Sequence, residues 1–211
     1  MNIAIIAGGC SAAAVNLANL CDRMHVIGVN DAAVYAPVHE VVTMDRLWLE
    51  NRYEQLVASA LPAHFRSGTA KCVDPQPPQF IAYTNNNSLD AGMSKERGHL
   101  NGSNSGAVAM NLAYQKLASF SPCLPNHKVY LIGFDFKLGP GKQKHWYPDH
   151  PWKTSTKPAK LDEWGRSMAP WACQFIEAGI EPYLVEGEHS YMRGPFRRIT
   201  AAEFHKHLAR L

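Results

Sequence analysis

The chain alternates short apolar runs with glycine or polar breaks and with longer amphipathic stretches. Asn2–Ala7 (NIAIIA) is rich in β-branched residues and stops at Gly8-Gly9. His25–Val29, Glu40–Met44, Val129–Gly133 and Glu181–Val185 have the same character, and Phe80–Tyr83 is a shorter candidate behind the breaker run Asp74–Pro78. Runs that are apolar throughout, rather than alternating, fit strands covered on both faces, as in a parallel sheet. Between them lie predicted helices: Ala12 to about Cys21 capped by Ser11, Leu47–Ala60 with Trp48, Leu49, Tyr53 and Leu56 inward, Leu161–Ala178 kinked at Pro170, and Thr200–Leu211. No internal repeat is visible. This strand–helix alternation predicts an α/β fold: one Rossmann-like domain over residues 1–211, with a mainly parallel sheet flanked by helices.

The pattern is densest from Asn101 to Phe136. There Ser103-Asn104-Ser105-Gly106 opens a helix, with Ser103 or Ser105 as its cap, and the helix leads to an apolar strand that stops at Asp135. Small residues at such a turn let a ligand come close to the backbone. Polar residues also end the other strands: Gly8, Gly9 and Ser11 after the first, Asn30 after the second, Asp45 after the third. In open parallel sheets ligands bind along that edge, and a glycine turn leading to a helix N-terminus favours anions. Asn30 and Asp45 equally suit simple capping of the segments that follow.

Lys137–Lys160 is the most unusual stretch, a flap with six lysines beside Trp146, Tyr147 and Trp152. Its glycines and prolines exclude regular structure, and its lysines beside aromatics suit a phosphate with a ring, or a single strand of nucleic acid. Residues 62–103 read largely as a long loop suited to covering an acceptor, and Ser190–Arg198 as a basic loop.

Composition narrows the class. Apolar residues make up 46% and charged residues 18% of 211 residues, which fits a globular chain. A net charge of +3 permits an anionic ligand without requiring nucleic acid. The five cysteines are scattered without a C-x-x-C pair, so free thiols are expected and neither a zinc site nor another metal site is predicted. No targeting segment or membrane-length apolar run is evident, so a cytoplasmic protein is expected, with room for a homo-oligomer.

Three pieces carry a resemblance: IIAGGCSA at the start, SNSGAVAMNLAYQKL followed by VYLIGFDF, and Tyr147-Pro148-Asp149-His150. In order and separation the chain resembles the bacterial sialyltransferases that use CMP-sialic acid, together with phage-encoded relatives of the same core. The resemblance implies a glycosyltransferase using a nucleotide-sugar donor as substrate, with no separate cofactor. It places Gly8, Gly9, Asn30, Asp45, Ser105, Gly106, Gly133, Phe134, Asp135 and Phe136 around the donor, beside Ser11 and Asn104 from the turns themselves. It makes His150 the general base and puts Tyr147 near the donor phosphate. Lys137 stands where the family has a tyrosine, and would neutralise the departing phosphate instead. Gly102 stands where the family has an arginine, so a CMP-sugar other than a sialic acid fits as well. The acceptor would be a glycan or a hydroxymethylated DNA base, with Arg193, Arg197 and Arg198 tracking a DNA backbone. His145 competes with His150 as the base. Two other readings are a pterin diphosphokinase-like transferase using ATP and a metal held by Asp31, Asp45 and Asp135, and a non-enzymatic nucleotide or single-strand binder.

Overall fold

The computed structural model describes residues 1–74, 76–86, 92–119, 127–149, 152, 157–187 and 190–211. Within them lies an eight-stranded sheet in the order β5-β4-β3-β2-β1-β6-β7-β8, with every neighbouring pair parallel. The strands are β1 (Asn2–Ile6), β2 (His25–Val29), β3 (Glu40–Thr43), β4 (Ala63–Arg66), β5 (Phe80–Tyr83), β6 (His127–Ile132), β7 (Ile180–Val185) and β8 (Arg197–Ile199). The chain steps outward from β1 to β5, then returns to the centre and lays β6 on the other side of β1. The fold is therefore α/β and Rossmann-like, and its strand order reverses between β1 and β6.

Alternation along β1 divides the core. Ile3, Ile5 and Ala7 join one cluster with Ala109 and Leu112 of α4 (Ser105–Ala118) and Trp171 and Phe175 of α6 (Ala169–Glu177). Ala4 and Ile6 point to the opposite face with Tyr130, Leu20 and Phe204 of α7 (Ala201–Leu208). Beyond β3, Trp48, Leu49 and Leu56 of α2 (Arg46–Ser59) pack on Ala63, Phe65 and Phe80. Two short helices, α1 (Ala32–Tyr35) and α3 (Ser67–Ala70), follow β2 and β4.

Several elements differ from the sequence expectation. The helix predicted from Ala12 to Cys21 is only a 3₁₀ turn, Cys10–Ala14, with no side-chain cap. The buried positions Ala12, Val15, Leu17, Leu20 and Met24 do not keep a helical stripe, and the Ser11 hydroxyl is used elsewhere. Leu161–Ala178 is two helices, α5 (Pro158–Arg166) and α6. Pro170 lies in the first turn of α6, where its missing N–H costs nothing, so it starts a helix rather than kinking one. Asn104, not Ser103 or Ser105, caps α4, and the basic loop Ser190–Arg198 ends in the edge strand β8. β4 escapes notice because it is short and carries His64 and Arg66, yet His64 is buried.

Partners from two neighbouring strands and α4 explain that burial. His64 Nε2 lies 2.9 Å from a Glu40 oxygen, His25 Nε2 is 2.8 Å from the other, and Lys116 Nζ is 3.1 Å away. Tyr83 Oη meets His64 Nδ1 at 3.1 Å. Burial alone would raise the Glu40 pKa, but the bonds from His25 and His64 and the charge of Lys116 outweigh it and hold the carboxyl well below the ordinary 4.5. On α4, the buried carboxamide of Asn111 accepts from Ser94 and Asn101 N–H and donates to the Ser94 carbonyl. Gln115 donates to carbonyls of Ser94, Glu96 and His99. The described part of the long segment before α4 is thereby pinned to that helix.

Replacing Asn111 by Leu orphans the Ser94 and Asn101 N–H groups, while the Ser94 carbonyl keeps Gln115, and should cost about 2–4 kcal/mol in urea unfolding, whereas Gln115→Leu, at a less buried position, should cost less. Because Glu40 titrates lower in the folded than in the unfolded protein, its stabilisation is complete above the ordinary glutamate range and drains away as the pH falls from that range toward the lowered folded-state value. Glu40→Gln should therefore lower stability at pH 7 by about 3 kcal/mol and flatten the loss of stability between about pH 5 and pH 3. Denaturation midpoints across that range check both.

Candidate functional site

The C-terminal ends of β1 and β6 are drawn together by backbone. Ala7 N–H donates to Ile132 O and Gly9 N–H to Gly133 O, both at 2.8 Å. A Cβ on Gly9 would fall 2.5 Å from Gly133 O and 2.6 Å from the Asp135 carboxyl carbon. Gly133 has φ +73°, and a Cβ there would meet Ala7 O at 2.6 Å. Only glycine fits either position. The turn is locked by buried Asp135, whose carboxylate accepts from Ser11 N–H at 2.9 Å and from the Ser11 hydroxyl. Ser11 and Asp135 thus bind each other and do not line the cleft; their expected contact with a donor is replaced by a structural one.

The flap is fastened to the same turn. Trp146 donates its backbone N–H to Gly8 O at 3.1 Å and its indole N–H to Ala7 O at 2.9 Å. Tyr147 is sandwiched face to face between His145, 4.9 Å away, and Tyr35, 5.2 Å away. A Cβ on Gly8 would collide with both His145 and Tyr147. Burial, then the Asp31 carboxylate, pushes the Tyr147 phenol upward, so it stays neutral. Trp152 packs beside α2, with the Arg52 guanidinium 5.6 Å above its ring. The expectation that these three aromatics await a ligand is therefore corrected: the chain's own elements pack against them. Tyr147 lies behind His145, off the cleft wall.

A cleft of about 340 Å³ opens at this reversal point. From the strand ends it is lined by Gly8, Gly9, Gly133, Phe134 and Phe136. Asn30, Asp45, Ser103, Asn104, Ser105 and Gly106 line it from β2, β3 and the α4 N-terminus. Lys137, Lys144 and His145 of the flap complete it with Leu161 and Trp164 of α5. The fold thus gathers eleven of the expected donor and catalytic residues, and the alternative base His145, at one place. His150 lies outside the described residues. Lys144, Trp164 and Ser103 are cleft residues that the sequence does not mark as such: Ser103 reads only as a helix cap, Trp164 as one of the apolar residues along the predicted helix Leu161–Ala178, and a lysine among six carries no distinguishing signal.

The polar groups here have fixed roles. Ser105 Oγ accepts from Met44 N–H at 2.9 Å, tying the end of β3 to α4. Asp45 accepts from Trp48 N–H at 3.3 Å, so it caps α2 as well as lining the cleft. Asn104 Oδ1 accepts from Ala107 N–H at 2.9 Å, which fixes the amide orientation and aims Nδ2 elsewhere. Asn30 and Phe136 hold left-handed backbone at φ +51° and +52°, conformations that cost energy in non-glycine residues and cluster at functional sites. Asn30 Oδ1, Ser103 Oγ, Asn104 Nδ2 and Trp164 Nε1 are buried and make no hydrogen bond among the described residues. Each such group costs about 1–3 kcal/mol unless something else satisfies it. Four around one cleft are a strong signature of a polar ligand.

The acidic residues are otherwise engaged. Asp31 accepts from Trp48 Nε1 at 2.6 Å and pairs with Arg52 at 3.0 Å. Among the described residues no group of three or more His, Cys, Asp or Glu is placed to hold a metal ion. Arg197 pairs with Glu181 at 3.1 Å, and Arg198 donates to the Gly187 and Met192 carbonyls. No described helix is long and apolar enough to cross a membrane.

Comparison of the chain with protein-family models, curated proteins and solved structures found no match.

Gly9→Ala should force the β1 and β6 ends apart, costing about 2–3 kcal/mol and several degrees in Tm. Gly68→Ala, where an added Cβ meets nothing within 4 Å, should change stability by less than about 0.5 kcal/mol. Paired thermal melts check the contrast.

Proposed function

We propose that the protein is a glycosyltransferase that binds a nucleotide-sugar donor, a CMP-sugar in the favoured case, and transfers the sugar to an acceptor hydroxyl. The observation that carries this reading is the set of four buried polar atoms around one cleft, on the sheet edge where open α/β folds bind ligands. Lys137 and Lys144 on the same cleft suit the donor's phosphate. The motif resemblance supplies the sugar and the reaction type.

In the proposed reaction the acceptor oxygen attacks the anomeric carbon, the bond from that carbon to the phosphate oxygen breaks, and the sugar inverts. The electron pair leaves with the phosphate, where Lys137 and Lys144 offset the new charge. The acceptor's proton passes to an imidazole, a base suited to neutral pH. The resemblance assigns that base to His150. His145, on the cleft wall, is the other candidate, with Tyr147 acting by holding its ring. A glycan acceptor is favoured over DNA, because Arg197, Arg198 and the flap aromatics are engaged within the chain. The same engagement weakens the single-strand reading.

A thermal-shift panel tests the donor class. At about 100 times its Kd, CMP should stabilise the protein by about 2.7 kcal/mol, a rise of roughly 5–10 °C, without added divalent metal. Stabilisation only by ATP with Mg²⁺ would move the protein to the diphosphokinase class. With the donor identified, transfer by His145→Ala and His150→Ala separates the two bases: loss of about 100-fold or more is expected in one and not in the other.

A further inference from the structure

Trp164 occupies an unusual position for an indole. Its helix is fixed on two sides, so the ring is held in place. Arg193 N–H donates to Gly165 O at 2.9 Å, and a Cβ on Gly165 would sit 2.9 Å from Tyr191 O and 3.2 Å from Phe136 Cβ. The loop carrying Tyr191 is in turn bound to the extension of β6, through Tyr191 N–H to Asp135 O at 2.8 Å and the Ser190 hydroxyl to Phe134 O. Trp164 also packs against the core cluster beside Phe136. Its N–H is nonetheless buried, lines the cleft and has no acceptor among the described residues.

An indole N–H only donates, so what satisfies it must be an acceptor. The surroundings say which kind. Lys137 and Lys144 line the same cleft. Asp45, the carboxylate on the wall, belongs to the β3 and α4 side with Asn30 and Asn104. We infer that Trp164, with Lys137, forms an oxyanion subsite on the α5 side of the cleft, with the indole N–H donating to a charged oxygen of the ligand. The inference rests on the reading of the cleft as a nucleotide-sugar site and adds what that reading lacks: a split into a polar side, at Asn30, Asp45, Ser103 and Asn104, and an anion-binding side at Trp164 and Lys137. The oxyanion is either the donor's phosphate or a carboxylate on the transferred sugar.

Trp164→Phe keeps the ring and removes the N–H. Calorimetric titration of wild type and variant with cytidine, CMP, a carboxylated CMP-sugar and inorganic pyrophosphate separates the cases. Roughly tenfold weaker CMP binding by the variant, with cytidine unchanged, assigns the subsite to the phosphate. Unchanged CMP with roughly tenfold weaker binding of the carboxylated CMP-sugar assigns it to the carboxylate. Equal affinities throughout, or equal losses on cytidine and CMP, overturn the subsite while leaving the nucleotide reading intact. If wild type binds no nucleoside or nucleotide, that reading fails, and pyrophosphate alone decides: weaker binding by the variant supports the subsite, and equal or absent binding overturns it. Should the variant fold poorly, the Trp164 indole N–H resonance of the wild type is followed during the same titrations. A downfield shift with the anionic ligands and not with cytidine is expected, and a stationary resonance overturns the inference.

Discussion

The structure depends on how closely the ends of β1 and β6 approach. These are the central strands, and the chain changes direction across the sheet between them. Two glycines without room for a Cβ, a carbonyl shared across the gap, and the Asp135 carboxylate holding both polar groups of Ser11 fix that approach. The flap and α5 walls of the cleft are hung from this joint. Trp146 ties the flap to its β1 side, and Ser190 and Tyr191 tie the last loop, and with it α5, to its β6 side. A buried charge used as a clamp in this way is costly to leave unpaired, so Asp135 and Ser11 are expected to behave as one unit.

Polar groups in this protein fall into two populations with different consequences. Around the N-terminal ends of β2 and β3, Glu40 and His25 form one network with His64 of β4, Tyr83 of β5 and Lys116 of α4, which satisfy one another and contribute to stability. At the C-terminal edge, buried polar atoms of Asn30, Ser103, Asn104 and Trp164 are held in position without mutual partners. Mutually satisfied polar groups are thereby separated from unpartnered ones along the length of the strands. The strained backbone of Asn30 and Phe136 lies on the cleft side, beside those unpartnered groups.

Much of this was legible in the residues. Apolar runs ending in Gly8-Gly9, Asn30, Asp45 and Gly133 located the strands and the edge that lines the cleft, because burial on both faces leaves a plain hydrophobic signature. What escaped did so for physical reasons. Asp135 reads as a ligand contact because its position at a strand end is visible, whereas its pairing with Ser11, 124 residues away, is not. Trp146, Tyr147 and Trp152 read as a stacking surface because composition shows aromatics in a loop without showing that β1, α1 and α2 receive them. Trp164 reads as core because helical spacing reveals which face is buried and not whether an N–H on that face is satisfied. β4 was hidden because His64 is made tolerable by Glu40, a partner on another strand.

On the proposed function, the cleft between the β1 turn, the α4 N-terminus and the β6 extension holds a nucleotide. Hydrogen–deuterium exchange with and without saturating CMP tests it most directly. Slowed exchange is expected in residues 7–11, 103–107 and 133–137, with β5 and α7 unchanged. Protection confined to other segments, or none at a concentration that saturates binding, would contradict it.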